Sequence, residues 1–319
     1  MIKGKRIFIT GGAGFIGSRL IARLITDNDI TVYDNLHRDS IKHTGLLNSP
    51  NLVFIQGDVL DAEKIERSIK GFNMVIHMAS IAGVDTVISM PVKTMEVAMI
   101  GSYNVLKASI RQGGLERFID FSTSEVYGSL AKDVKESDVT HIGAVGEPRW
   151  SYAVSKLAAE HLAINYYRQQ KFPAVTIRPF NVFGPMQVGI GAIQIFIRKA
   201  LKGEPISLNN GGNQIRSWCY VDDMVDAVLL CLERDEALGQ SFNIGNPANS
   251  VTIRELAYMI KRITRSGSEI ISVENDRAEV ELRIPDIGKA RKLLGFAPKV
   301  GLEEGLSRTV EWYRKDTKE

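Results

Sequence analysis

Short apolar runs alternate with helix-length segments through the first half of the chain. Ile7-Phe8-Ile9, Ile30-Thr31-Val32-Tyr33, Leu52-Val53-Phe54-Ile55, Met74-Val75-Ile76-His77-Met78-Ala79, Phe118-Ile119-Asp120-Phe121 and Ala174-Val175-Thr176-Ile177 each read as a strand. Runs this short and this apolar are what a buried parallel strand needs. Between them, Ser18 to Leu24, a segment starting near Ala62, Pro91 to Ile110 and Ser151 to Gln170 read as helices. The alternation predicts an α/β fold built on a doubly wound parallel sheet. From about Gly184 the pattern loosens. Phe242-Asn243-Ile244 is a short strand in a loop-rich stretch, and helices are expected near 252–264, 287–294 and 302–315. This predicts a dinucleotide-binding domain over 1–183 and a smaller substrate lobe over 184–319, with some elements returning to the sheet.

The first strand ends in Thr10-Gly11-Gly12-Ala13-Gly14-Phe15-Ile16-Gly17. Strand, glycine turn and helix in that order form the setting of a dinucleotide site. Gly11 permits the tight turn, Gly14 lets backbone approach a pyrophosphate, and Gly17 allows close packing of the helix. The N–H groups at the helix start, around Phe15 and Ile16, suit phosphate. Asp34 ends the second strand, 17 residues past Gly17, with Asn35 next to it. A carboxylate there meets the adenosine ribose hydroxyls and repels the extra phosphate of NADP, so NAD is the expected cofactor. His37 and Arg38 follow closely, and an arginine nearby can accommodate a 2′-phosphate. Asp58, beside Val59, either bonds the adenine amino group or caps the helix near Ala62. Small residues at Ala79 and Ser80 leave room for the cofactor. His77 reads as a satisfied core histidine.

Composition narrows the class. The 319 residues carry a formal net charge of +3, too small to argue for a nucleic-acid or membrane partner. Hydrophobic content of 44% and charged content of 24% suit a soluble globular enzyme. The two cysteines, Cys219 and Cys231, have no metal-type spacing and read as reduced cytoplasmic thiols. The glycine turn begins so early that no signal peptide is expected, and no metal is expected either.

The chemistry should lie beyond the strand C-termini. There the fifth strand ends in Ser122-Thr123-Ser124-Glu125, and the helix from Ser151 carries Tyr152 and Lys156 four residues apart, on one face. A tyrosine with a pKa near ~10 is a poor base at neutral pH. A lysine one turn away is expected to stabilise the phenolate and lower that value, so that Tyr152 can take a hydroxyl proton while hydride leaves the same carbon. Lys156 can also hold the nicotinamide ribose.

Together, Gly11-x-x-Gly14-x-x-Gly17, Asp34, Ser122-Thr123-Ser124 and Tyr152-x-x-x-Lys156 resemble the extended short-chain dehydrogenase/reductases, specifically the NAD-dependent epimerase/dehydratase family acting on nucleotide sugars. The resemblance runs through almost the whole chain. It implies a Rossmann domain with a smaller C-terminal lobe, and a homodimer joined through helices at 92–111 and 151–170. It also implies roles by position. Thr123 would bond the sugar C4 hydroxyl, with Ser124 beside it, and Ser122 would meet the cofactor. Asn181, Arg216 and Arg283 would hold the diphosphate or nucleotide of a UDP-linked sugar, and backbone at Ala192-Ile193 would meet the base. Asn209-Asn210-Gly211-Gly212 stands where many relatives carry Tyr-Gly-Asp-Gly, so a ring beside the base is missing.

Members of this family oxidise the sugar at C4 and diverge afterwards. Glu125 follows the Ser/Thr pair, where UDP-glucuronate decarboxylases and many 4,6-dehydratases carry an acidic residue. A C4 ketone favours loss of a C5 carboxylate, and a carboxylate near C5 could move the proton. Ser124 replaces the aspartate of common dehydratases. Gly146-Glu147-Pro148-Arg149-Trp150-Ser151-Tyr152 is similar to the catalytic-helix start of a bacterial decarboxylase of lipid A modification. The leading expectation is a UDP-glucuronate decarboxylase. A UDP-hexose or UDP-hexuronate 4-epimerase is the alternative, with Glu125 merely capping a turn or bonding backbone. A dehydratase and a non-catalytic NAD-binding protein follow.

Overall fold

The computed structural model describes residues 2–189, 191–275 and 280–316. The chain begins with β1 (Arg6–Thr10), α1 (Phe15–Leu24), β2 (Asp29–Asp34), β3 (Leu52–Gln56), α2 (Ala62–Ser68) and β4 (Met74–His77). It continues with α3 (Val84–Ser89), α4 (Pro91–Met95), α5 (Ser102–Gln112), β5 (Arg117–Phe121), β6 (Leu130–Val134), α6 (Ser151–Gln170), β7 (Ala174–Pro179) and β8 (Val182–Phe183). Then come α7 (Ala192–Lys202), β9 (Ile206–Asn209), β10 (Ile215–Ser217), β11 (Cys219–Tyr220), α8 (Val221–Glu233), β12 (Ser241–Ile244) and β13 (Ser250–Thr252). The last elements are α9 (Ile253–Thr264), β14 (Ile270–Val273), β15 (Leu282–Pro285), α10 (Gly288–Leu294) and α11 (Leu302–Asp316).

Seven parallel strands form the central sheet in the order β12-β7-β5-β4-β1-β2-β3. The chain winds outward through β2 and β3, then returns to the other side of β1 with β4. This reversal opens a crevice at the carboxyl ends of β1 and β4, where α/β sheets bind ligands. Strand β1 shows why its residues build a central strand. Ile7 and Ile9 enter the hydrophobic cluster on one face with Leu20, Val225 and Val228, and Phe8 enters the other with Val75, Leu106 and Phe118.

Elements from the second half return to this sheet, as the loosened pattern suggested. Strand β12 pairs with β7, and α8 and α10 bury Met224, Val228, Ala290 and Leu294 in the cluster that holds Ile7. Strand β6 travels the other way and joins a second sheet in the order β13-β10-β15-β6. A separate apolar cluster, with Phe196, Trp218, Leu256, Leu306 and Tyr313, fills the second lobe.

The helix expected over Pro91 to Ile110 is one helical path in three parts. A π-helical turn, Glu96–Gly101, separates α4 from α5. Such turns are uncommon and often stand at functional sites. Here Val97, within the turn, lines the crevice. At its end, a Cβ on Gly101 would stand 2.5 Å from Val59 Cγ2, so the bare glycine lets the helix close on the loop after β3.

Candidate active site

A cavity of about 540 Å³ occupies the crevice. Gly11, Gly14, Phe15, Ile16, Gly17, Asp34, Asn35, Asp58, Val59, Ala79, Ser122, Thr123 and Tyr152 all line it. Gly11 has φ +72°, and a Cβ on it would lie 2.6 Å from the Ala79 nitrogen. A Cβ on Gly17 would lie 2.7 Å from Gly12 Cα, so this glycine packs the helix start against its own turn. Asp34 Oδ2 accepts from Ala13 N–H at 3.0 Å and Oδ1 from Leu36 N–H at 2.7 Å. Burial raises its pKa and those N–H groups oppose the rise. The carboxylate thus pins the glycine turn, and each oxygen keeps a lone pair for a ribose hydroxyl. Asn35 Oδ1 accepts from His37 N–H at 3.0 Å. The cap of α2 is Asp61, which accepts from Lys64 N–H, and Asp58 instead accepts from Leu60 N–H at 3.0 Å while facing the cavity.

Beneath the cavity floor runs a buried polar chain. Ser102 Oγ donates to Ala98 O at 2.7 Å, which spends its only proton. His77 Nε2 therefore donates to Ser102 Oγ at 2.8 Å, and Nδ1 accepts from Thr10 Oγ1 at 2.7 Å. Burial, and then the Lys156 charge, push the His77 pKa well below its ordinary value, so the ring is neutral. It is the satisfied core histidine the sequence suggested. Thr10 Oγ1 in turn accepts from Ala79 N–H at 3.4 Å and steadies the loop that faces the cofactor.

Tyr152 and Lys156 share a face of α6, but the tyrosine is not tuned as expected. Burial raises its pKa well above 10, the Glu125 carboxylate adds to the rise, and Lys156 is not among its principal influences. Lys156 Nζ lies 3.8 Å from Asp120 Oδ1 in the core, an ion pair too long for a hydrogen bond. Its Nζ is buried with no hydrogen-bond partner among the described residues. A buried ammonium left short of acceptors fits the nicotinamide ribose of a dinucleotide. With the glycine cradle and Asp34, the residues present suit NAD.

The turn after β5 departs further from expectation. Ser122 Oγ donates to Glu160 Oε2 at 2.6 Å, so its proton is committed to the core while the residue lines the cavity. Thr123 Oγ1 accepts from Glu125 N–H at 3.1 Å, which leaves its own proton free to donate. Ser124 is buried in the 3-10 turn Ser124–Tyr127, outside the cavity lining. Glu125 bonds side chains instead of capping a turn. Arg283 Nη1 pairs with its Oε1, and Arg149 Nη2 lies 2.8 Å from its Oε2. Burial pushes the carboxyl up, yet the Arg283 and Arg149 charges outweigh it and hold the pKa at about 2. Glu125 is therefore ionised at neutral pH and has no proton to give near C5. Arg283, expected on the diphosphate, is almost wholly buried, with Nη2 donating to Gly128 O at 3.0 Å. Arg149 was not singled out in the sequence. The available signal was the likeness of Gly146–Tyr152 to a decarboxylase, in which this arginine stands three residues before the tyrosine.

The remaining substrate-side residues lie apart from this cavity. Asn181 Nδ2 donates to Ser217 O at 3.1 Å. Arg216 Nη2 donates to Val280 O at 2.6 Å, so its guanidinium lies against backbone instead of standing free for a phosphate. Ala192 and Ile193 open α7, with the Ile193 side chain in the second-lobe core. Asn209 ends β9, exposed.

A glycine cradle, a carboxylate at the end of β2 and a Tyr/Lys helix beside a Ser/Thr turn define an enzyme that works through a bound nicotinamide dinucleotide. The model of the NAD dependent epimerase/dehydratase family matches residues 7–245, and the chain belongs to this family. It is 33% identical to a UDP-N-acetyl-alpha-D-glucosaminuronate decarboxylase from Bacillus cytotoxicus, over 98% of each chain. It is 37% identical to UDP-glucuronic acid decarboxylase 5 of Arabidopsis thaliana, over 97% of this chain and 89% of the plant protein. Among solved structures, UDP-glucose 4-epimerase from Thermotoga maritima with UDP-glucose matches at 32% identity and TM-score 0.89, over 98% of this chain and 99% of that one.

The Glu125 pKa is lower in the folded protein than the ordinary 4.5, so the ionised cluster stabilises the fold above that value. The contribution is lost as pH falls through about 2. Arg149→Met should therefore lower the melting temperature at pH 7, and the gap to the parent should shrink as pH drops below about 4. Thermal denaturation across pH 2.5–7 checks this; a gap independent of pH would show that Arg149 acts through packing alone.

Proposed function

We propose that the chain is a UDP-uronate decarboxylase that oxidises its sugar at C4 and then loses the C5 carboxylate. The observation that carries this reading is the Arg149–Glu125–Arg283 cluster. Two guanidiniums and one carboxylate give the cluster one net positive charge, and its carboxylate acts electrostatically on Tyr152. A simple hexose has no anion to match it, whereas a uronate does. The 33–37% identity to uronate decarboxylases supports the same reading.

Bound NAD supplies the hydride acceptor and later donor, and its charged nicotinamide supplies the cation that a tyrosine base with a raised pKa needs. Tyr152 takes the C4 hydroxyl proton, with Thr123 donating to the same oxygen. The resulting ketone is β to the carboxylate, so the C5–carboxylate bond breaks and its electron pair becomes an enolate held by these donors. Glu125, being ionised, holds Arg149 and Arg283 in place instead of supplying the proton. Water supplies the proton that C5 takes up. Tyr152 returns its proton to the C4 oxygen in the closing reduction.

A 4-epimerase is the second reading, favoured by the close structural match to the Thermotoga UDP-glucose enzyme. Residues 1–183 serve the dinucleotide and 184–319 the nucleotide sugar in this reading, apart from the elements that cross over. Two free, buried cysteines suit the cytoplasm. A homodimer is supported by Val92, Met99, Ile100, Tyr103 and Val154, which leave apolar surface exposed on the helices at 91–112 and on α6.

Mass spectrometry of reactions with UDP-glucuronate should show a product lighter by carbon dioxide. Tyr152→Phe should cut its formation by about 10²–10⁴-fold with NAD binding retained. An unchanged mass with a shifted retention time would instead establish epimerisation. Light scattering should report twice the chain mass, falling to one chain for Tyr103→Glu; a monomeric parent would remove the dimer.

A further inference from the structure

Arg38 stands four residues past Asp34, where the sequence suggested a reader of a 2′-phosphate. Its side chain goes elsewhere. Its Nη2 donates to the carbonyl of Ala82, in the loop after β4. A Cβ on Gly83 would lie 3.1 Å from that nitrogen, and a Cβ on Gly189 would lie 2.9 Å from the guanidinium carbon. Both glycines have positive φ, +105° and +108°. The guanidinium is thus threaded between two glycines, one after β4 and one in the loop leading to α7.

Its own backbone segment is fastened over the glycine cradle. Ser40 and Ile41 N–H both donate to Ala13 O, at 2.9 and 3.1 Å. The Ser40 hydroxyl donates to Met186 O at 2.9 Å. Arg38 and Ala82 line the cavity together with Gln187 and Val188. The side chain therefore crosses the cleft from the β2 loop to the β4 loop, beneath the loop from the second lobe.

This cation has no carboxylate partner among the described residues. Burial lowers its pKa, and only the Tyr152 phenol works against that shift. A half-buried guanidinium without a counter-charge is costly, and an anion placed in the cavity offsets that cost. The segment is fastened to Ala13, in the glycine turn that leads into α1, and a helix N-terminus favours phosphate.

We infer that Arg38 is a strap that binds the pyrophosphate of the dinucleotide against the start of α1 and keeps the cofactor on the protein between the two halves of the reaction. A reaction that oxidises and later reduces the same carbon strands its ketone if the cofactor leaves midway. A guanidinium is a forked donor that can reach two phosphate oxygens at once, which a lysine does not reproduce. The inference rests on NAD binding and is independent of which sugar is used. A diphosphate or carboxylate on the nucleotide sugar has the same anionic chemistry, so the test separates the two sources.

Arg38→Met and Arg38→Lys would be compared with the parent by calorimetric titration of the full chain with NAD and, separately, with UDP-glucuronate. NAD remaining after gel filtration would also be measured. The Met variant should bind NAD about 10- to 100-fold more weakly and emerge depleted of it, with the Lys variant only partly restored and both melting within a few degrees of the parent. NAD affinity within twofold of the parent in both variants would overturn the assignment. So would a loss confined to UDP-glucuronate, which would move the anion to the substrate. The Lys variant keeps the charge and packing, so a folding failure of the Met variant alone leaves the test intact.

Discussion

The ion cluster around Glu125 is the constraint on which the site depends. It joins three pieces that are distant in sequence: the turn after β5, the 3-10 turn that starts the catalytic helix, and β15 of the second lobe. Removing one partner of such a buried cluster costs about 3–5 kcal/mol, because the remaining charges lose their compensation. The same contacts fix the electrostatics beside Tyr152. Burial lifts the phenol pKa and the Glu125 carboxylate adds to the rise, while the two arginines leave the cluster itself one net positive charge. Structural cohesion and the electrostatics near Tyr152 therefore come from one set of side chains.

Around that cluster the scaffold is made of satisfied polar groups and bare glycines. Asp34 holds the glycine turn, Thr10 and His77 hold the loop after β4, and Glu160 gathers Ser122, Arg178 and Ser241 behind the reactive turn. Each commits hydrogen bonds to protein and so holds its loop in place. The Thr123 hydroxyl proton in the cavity wall and the buried Lys156 Nζ stay uncommitted among the described residues. A rigid frame with a few uncommitted donors is the arrangement that preorganised sites need.

The strands and the cofactor cradle were legible because periodicity and glycine spacing are local. Ile7 to Ile9 could only be a buried strand, and Gly11 needs the backbone freedom its φ shows. Partner choice was not legible. Lys156 lies one turn from Tyr152 in any helix, but its ion-pair partner, Asp120, comes from β5. Arg283 and Glu125 are 158 residues apart, and nothing in either segment announces the pairing. Asp58 and Asp61 both suited a helix cap, and three-dimensional placement gave that role to Asp61. Arg38 sat at the expected distance from Asp34, yet its length let it cross to Ala82. The π turn has no spacing signature that separates it from an α-helix.

The claim that a C4 ketone drives loss of a neighbouring carboxylate at this arginine-flanked site can be tested at the carbon where it happens. The measurement is nuclear magnetic resonance of the product formed from UDP-glucuronate in deuterium oxide. The account predicts a pentose bearing one deuterium at C5, delivered to the enolate from solvent. A C4-inverted uronate that keeps its carboxylate and its original hydrogen at C5 would contradict it.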